Sequence, residues 1–307
     1  MSLLDVFRPD VRAMHAYVVQ DAAGYIKLDA MENPFTLPPE LQAKLGERLG
    51  QVAMNRYPGV RVNDLHDALR AYAHVPADYG LVLGNGSDEL ISLLSVACAQ
   101  PGAVALAPLP GFVMYEAFAK QSGMTFVGVP LTPDFELDGP AMLAAIREHK
   151  PALTYIAYPN NPTANLWDDA AIEQIIDAVG ANGQGLVIID EAYQPFASKS
   201  YLDRLTKHPH VLLMRTLSKF GLAGIRLGYM MGRKDLIEQV EKVRPPYNIS
   251  VLNVEAALFA LGHADEFARQ AEVVKAERAR LLAALAAMPG AKAYPSQANM
   301  ILVRVND

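Results

Sequence analysis

Apolar and polar positions along this chain follow two rhythms. From about residue 80, short and almost wholly apolar runs recur at 81–83, 103–106, 125–129, 153–157, 186–189, 211–214 and 227–231. Between the earlier runs lie longer stretches with apolar residues at helical spacing, over 88–99, 112–121, 139–149 and 168–179. A strand without polar alternation is covered on both faces, and such strands spaced by helices build a mainly parallel sheet. The pattern therefore predicts an α/β fold, a three-layer α/β/α large domain with a mainly parallel sheet.

After Arg244-Pro245-Pro246 the rhythm changes. Helices are expected over 251–261 and 266–288, the second with Phe267, Val274, Leu281, Leu282 and Leu285 on a helix-compatible spacing. A strand-like run follows at 300–305. These elements read as a smaller α+β domain to which the N-terminal segment contributes. The expected division is 30–245 for the large domain, with 1–29 and 246–307 for the small one. The last strand has no visible partner downstream, so the small domain reads as truncated, incomplete at its C-terminal end.

Composition narrows the function. A chain of 307 residues can bury a large core in one big domain or two unequal ones. Its net charge of −6 offers no basic footprint for nucleic acid or an anionic membrane. No apolar run reaches the length of a membrane span, and residues 1–30 lack a basic start followed by an apolar core. Cys98 is the only cysteine and sits in an apolar run, as a small buried hydrophobe would. A cytoplasmic protein is expected. The seven histidines are scattered, with no His-Glu-x-x-His, and there is no Gly-x-Ser-x-Gly, so neither a metal site nor a serine hydrolase is expected. His208 and His210 flank a proline in a loop and read as solvated.

In sheets of this kind ligands sit beyond the carboxyl ends of the strands, and the candidate chemistry follows strands here. Gly84-Asn85-Gly86-Ser87-Asp88-Glu89 places glycines before a helix, where free backbone N–H groups and the helix dipole can hold a phosphate. Glu89 stands where a dinucleotide motif needs its third glycine, so the choice is a mononucleotide-like cup or a plain helix cap. Asn161 precedes Pro162 and is thereby held extended, either aimed at a ligand or part of an ordinary turn. Asp190 ends a buried strand, where a carboxylate is costly without a cation; it either pairs with a ligand cation or caps the next turn. Lys219, in Ser218-Lys219-Phe220-Gly221-Leu222-Ala223-Gly224-Ile225-Arg226, combines an amine, a hydroxyl and a cation around glycines, a composition suited to Schiff-base chemistry with a phosphorylated aldehyde.

Together these segments resemble the fold-type I pyridoxal-phosphate enzymes, the aminotransferases. The likeness runs from about residue 25 to the end. Leu28-Asp29-Ala30-Met31-Glu32-Asn33-Pro34-Phe35, Asn55-Arg56-Tyr57-Pro58 and Ala298-Asn299-Met300-Ile301-Leu302 are similar to the histidinol-phosphate subfamily. The resemblance implies pyridoxal 5'-phosphate as cofactor, with Lys219 as the lysine that holds it. Arg226, Ser218 and the cup of Gly86, Ser87 and Asp88 would bind its phosphate. Asp190 would pair with the ring nitrogen, Tyr193 and Asn161 with the phenolic oxygen, and Phe112 would stack on the ring. Lys219, Asp190 and Tyr193 are the implied catalytic residues, and Asn33 the implied substrate-pocket residue. Tyr57 would reach the partner subunit's cofactor phosphate, which implies a homodimer. The implied reaction moves an amino group between L-histidinol phosphate and 2-oxoglutarate in histidine biosynthesis. Aromatic-amino-acid aminotransferases, a threonine-phosphate decarboxylase and a weakly active cofactor-binding relative share these motifs. Ala164 and Met31 depart from the family's usual glycine and asparagine. The family's Gly-x-x-Arg-like strand, whose arginine grips the acidic group of the substrate, is expected some way beyond residue 307, and Arg304 does not match it.

Overall fold

The computed structural model describes residues 2–19 and 21–306; Met1, Gln20 and Asp307, which the expected domain ranges include, lie outside the described residues. Helices α1 (Pro9–Ala13), α2 (Pro39–Gly50) and α3 (Arg61–Tyr72) precede the first strand. Then come β1 (Tyr79–Gly84), α4 (Ser87–Cys98), β2 (Val104–Leu109), α5 (Met114–Gln121), β3 (Thr125–Pro130), α6 (Gly139–His149) and β4 (Leu153–Ala157). Next are α7 (Asp169–Ala181), β5 (Leu186–Asp190), the short α8 (Leu202–Leu205), β6 (Val211–Thr216), β7 (Gly228–Arg233) and α9 (Lys234–Glu241). The chain closes with α10 (Val251–Leu261), α11 (Ala264–Ala286), β8 (Ala291–Ala293) and β9 (Val303–Val305). Local chemistry sets several of these starts. The side chains of Asp138, Asp168 and Ser250 accept the N–H groups of Ala141, Ala171 and Asn253 and so cap α6, α7 and α10.

Seven strands form one sheet in the order β1-β7-β6-β5-β4-β2-β3. Both faces are buried, as the apolar runs require. Leu83, Leu106, Ile156, Ile189 and Leu213 point to one face, under α3, α6, α7 and α10. Val82, Ala105, Tyr155, Ile188 and Leu212 point to the other, under α4, α5 and α9. This period-two split across two helical layers is the expected three-layer α/β/α arrangement. β7 is the exception in direction, running antiparallel to both β1 and β6. The turn between β6 and β7 holds no crossover helix of the length a parallel return needs.

Other differences have local causes. α2, α3 and α9 lay outside the recognised alternation. Ile237 and Val240 of α9 are buried against β1, where a Cβ on Gly80 would lie 2.8 Å from the Ile237 Cβ; glycine lets the helix settle there. The final strand is shorter than expected, and it does have a partner, β8, which lies upstream rather than downstream. Val254, Ala257 and Ala260 of α10 share a core with Leu65 and Leu69 of α3, so this helix packs on the large sheet although it follows residue 245. On α11, Phe267 is buried while Leu281 is 48% exposed. His208 and His210 are half-buried and hydrogen-bonded rather than free in solvent. His208 Nε2 lies 2.8 Å from Glu173 Oε2, and His210 Nε2 lies 2.9 Å from the Ile176 carbonyl, because the loop folds back onto α7. No helix among the described residues is long and apolar enough to cross a membrane.

Candidate active site

The parallel strands present their carboxyl ends along one edge of the sheet, and β7, being antiparallel, begins there. That edge gathers most of the candidates. Gly86, Ser87 and Asp88 follow β1, Phe112 follows β2 and Asn161 follows β4. Asp190 is the last residue of β5, with Tyr193 three residues on; Ser218 and Lys219 follow β6, and Arg226 precedes β7.

At the start of α4, Gly86 has φ 80° and ψ 171°, and no side chain caps the helix. A Cβ on Gly86 would lie 2.5 Å from Arg226 Nη2, so only glycine lets the guanidinium rest against this helix end. Gly228 plays a similar part from β7, where a Cβ would lie 2.6 Å from the Ser87 nitrogen. A helix N-terminus is electropositive, and an arginine beside it adds charge of the same sign. Asp88 Oδ2, 3.3 Å from Arg226 Nη2, is the carboxylate on that guanidinium. Two convergent positive groups, one of them paired with the Asp88 carboxylate, have the chemistry to hold an anion such as a phosphate. Ser218 is almost buried beside it. Its hydroxyl lies 3.0 Å from that of Thr216, and the Leu217 N–H donates to the Leu227 carbonyl at 2.9 Å, stitching the serine's turn to the residue next to Arg226.

Lys219 projects from a single wide helical turn, Ser218–Leu222, in which Gly221 takes φ 137°. A Cβ on Gly221 would meet Phe267 of α11 at 2.8 Å and Asn33 Nδ2 at 2.9 Å, so α11 and the segment around Asn33 close over this turn. Lys219 Nζ donates to the Ala30 carbonyl at 2.6 Å and lies 5.5 Å from the centre of the Tyr193 ring. Burial holds its pKa below the ordinary lysine value, against the opposing pull of the Glu32 and Asp88 carboxylates. The pocket thus contains an amine shifted toward its neutral form.

Asp190 is 4% exposed. Burial pushes its carboxyl up to about 6, while bonds from the Tyr115 hydroxyl and the Ala192 N–H pull the other way. No cation is bonded to it among the described residues. Tyr193 is also buried, which raises its phenol well above the usual range, and its hydroxyl enters none of the hydrogen bonds among the described residues. Asn160, the neighbour of Asn161, is the anchor of its turn; its Nδ2 donates to the Pro110 carbonyl at 3.1 Å and to Thr163 Oγ1 at 2.8 Å. This ties the Asn161 loop to the Phe112 loop.

Tyr57 stands apart from this cluster, and Asn33, beside the Lys219 turn, gives its amide to other partners. Tyr57 is 74% exposed and stacks on Tyr247 at 4.2 Å, on a cleft of about 350 Å³ lined by Arg48, Arg56, Arg61 and Glu255. Asn33 has both polar atoms engaged, Nδ2 donating to Gln270 Oε1 and Oδ1 accepting the Phe35 N–H, each at 2.9 Å. It ties its segment to α11.

Sequence reasoning missed the supports. Tyr115 donates to Asp190 Oδ2 at 2.7 Å. Arg215 and Glu191 form a buried ion pair at 2.9 Å behind the strand ends, and Glu191 also accepts from Ser200 and the Tyr201 N–H. That pair had a signal. The acidic pair Asp190-Glu191 and the base Arg215 each follow an apolar run, and the parallel register of Asp190 with Met214 makes Glu191 and Arg215 neighbours. Tyr115 had none, since an aromatic on the buried face of a helix reads as core.

Known proteins extend this description. The family described as aminotransferase class I and II matches residues 23–307. A histidinol-phosphate aminotransferase of Methylibium petroleiphilum is 69% identical over 300 residues, covering 98% of this chain and 81% of the relative. Another, of Polaromonas naphthalenivorans, is 66% identical over 305 residues, 99% of this chain and 83% of the relative. The solved histidinol-phosphate aminotransferase of Sinorhizobium meliloti in complex with pyridoxal-5'-phosphate matches with a TM-score of 0.84 and 26% identity, covering 97% of this chain and 82% of that one. A family match over more than nine-tenths of the chain, with the site gathered at the sheet edge, places this protein among the class I and II aminotransferases.

Proposed function

We propose that this chain is a pyridoxal-5'-phosphate-dependent transaminase that moves an amino group between L-histidinol phosphate and 2-oxoglutarate in histidine biosynthesis. The observation that carries the chemistry is the amine of Lys219, lowered in pKa by burial, within one strand-end cluster with the buried Asp190 carboxylate and the uncapped, arginine-flanked start of α4. The donor set fits the cofactor at three points. The α4 start, Arg226 and Ser218 suit its phosphate; Asp190, buried without a cation, suits a protonated ring nitrogen; Lys219 Nζ is the amine to hold its aldehyde carbon. Bound there, the cofactor supplies a carbonyl that condenses with amines and a cationic ring that accepts the electron pair left on a substrate's α-carbon.

The residues then have separate duties. With the cofactor bound, Lys219 Nζ in its neutral form would take the proton from the donor's α-carbon as general base and hold it for return as general acid. Asp190 would keep the ring nitrogen protonated. Tyr193 and Asn161 would hold the phenolic oxygen and Phe112 would cover the ring face, while Asn33 belongs to the segment that closes over the Lys219 turn and would line the substrate pocket. The names of relatives at 66–69% identity support histidinol phosphate as the donor.

We also infer a homodimer in the cytoplasm. Tyr57 and Tyr247 stand exposed beside three arginines, a surface suited to a partner subunit's phosphate, and the N-terminal arm leaves Leu3, Val6 and Ile26 exposed in a single copy. We also infer a large domain over 30–245 and a small one from 1–29 and 246–307, supported by the seven-stranded sheet lying in the first range and the β8–β9 pair in the second, with α10 of the second range packed against the large sheet.

The test is direct. The purified chain supplied with pyridoxal phosphate is expected to develop a visible absorption band, and folded Lys219→Ala to lack it. Glutamate formation from histidinol phosphate and 2-oxoglutarate should exceed that from phenylalanine. A preference for phenylalanine, or carbon dioxide release from phosphothreonine, would replace the assigned donor, and no band at all would refute the cofactor chemistry.

A further inference from the structure

Asp190 ends a buried strand, and two hydrogen bonds hold its carboxylate. Oδ2 accepts the Tyr115 hydroxyl at 2.7 Å, and Oδ1 accepts the Ala192 N–H at 3.0 Å. Tyr115 reaches it from α5, 75 residues away in sequence. Its ring lies flat on that of Tyr155, 4.3 Å between centres and 8° between planes, and takes the edge of Phe112 at 5.5 Å. Both tyrosine rings are at most 2% exposed. A phenol so enclosed has little rotational freedom, and Asp190 is its hydrogen-bond partner.

We propose that Tyr115 is a positioning residue of the active site, whose hydroxyl fixes the Asp190 carboxylate and sets how strongly it competes for the proton shared with the cofactor's ring nitrogen. This rests on the role given to Asp190 above. A carboxylate offers about four lone-pair sites on two oxygens. Tyr115 and Ala192 each take one, on different oxygens, so the group is held against rotation and keeps lone pairs on both for a cation. The same bond bears on proton affinity. Burial raises the carboxyl, the Tyr115 and Ala192 bonds restrain that rise, and the Asp88 and Glu191 carboxylates add to it. The remaining titratable neighbours, Tyr193 and Tyr155, are raised by burial and stay neutral. Without the Tyr115 hydroxyl the charged form of Asp190 loses its one side-chain donor, so the carboxyl becomes more basic and draws the proton away from the ring nitrogen. A side chain that merely filled space would have no such effect.

Tyr115→Phe in the full chain tests this by two readings. With pyridoxal phosphate labelled with ¹⁵N in the ring, the nitrogen resonance should move away from its protonated position relative to wild type. In the cofactor-free chain, the Asp190 carboxyl resonance, assigned by its loss in Asp190→Asn, should titrate about one to two pH units higher. Tyr155→Phe removes a hydroxyl from the stack without touching Asp190 and should move neither. Should Tyr115→Phe fold poorly, 3-fluorotyrosine at Tyr115 keeps the volume and is a stronger donor, and the titration should move down instead. Unchanged resonances in a folded, cofactor-loaded Tyr115→Phe overturn the proposal. Failure of the wild type to bind the cofactor would overturn the function instead, and the cofactor-free titration separates the two.

Discussion

Gly86→Ala tests the phosphate cradle with two separable costs. Gly86 sits at φ 80°, ψ 171°, a region essentially restricted to glycine, so alanine there should cost about 1–3 kcal/mol whether or not the cofactor is bound. The second cost falls on binding. The new Cβ would lie 2.5 Å from Arg226 Nη2 and 3.1 Å from its Cζ. Those atoms are the far end of a flexible side chain, so the guanidinium swings away with little harm to the fold but leaves the helix start. Losing one charge-assisted bond to phosphate is about 1.5–3 kcal/mol, roughly ten- to hundredfold in Kd. Trp167, the only tryptophan and 3% exposed, reports unfolding by fluorescence, and a titration followed by absorbance reports cofactor affinity. Arg226→Ala should reproduce the affinity loss without the backbone cost. A folded Gly86→Ala that binds pyridoxal phosphate as tightly as wild type would show that the phosphate does not sit at the start of α4.

Two further predictions concern buried charge. Arg215→Met leaves the fully buried Glu191 carboxylate with Ser200 and a backbone N–H as its partners, and should lower stability by about 3–5 kcal/mol; adding Glu191→Gln should recover much of that in a denaturant titration, and additivity of the two would refute the pairing. In the cofactor-free chain Asp190 titrates near 6, above its unfolded value, so the folded state binds the extra proton and its contribution, complete below about pH 4, is lost as pH rises through 6. Asp190→Asn, which carries no charge to bury, should therefore melt higher than wild type at pH 8 by an amount of order 1–3 kcal/mol, with the gap closing toward pH 4; a gap that widens on acidification would contradict the raised carboxyl.

The chain's local patterns were enough for the layers and the chemistry-bearing loops. An apolar run such as Leu186-Val187-Ile188-Ile189 can only be a strand covered twice, and a carboxylate at its end must meet something polar, so Asp190 was legible. The glycines before α4 and around Lys219 were legible for the same reason, since unusual backbone leaves a mark in residue type. Other features left none. The direction of β7 depends on how the turn from β6 closes, and the partner of β9 lies in a stretch without pattern. Tyr115 looks like any buried aromatic until α5 brings it to Asp190, and Lys219 meets the Ala30 carbonyl across 189 residues. The sequence by itself determined which residues could do chemistry and on which strand ends they stand. Which of them touch, how Gly86 admits Arg226, and how burial lowers Lys219 while raising Asp190 were decided by tertiary structure alone, because contact and dielectric environment arise only when distant segments exclude water from a shared site.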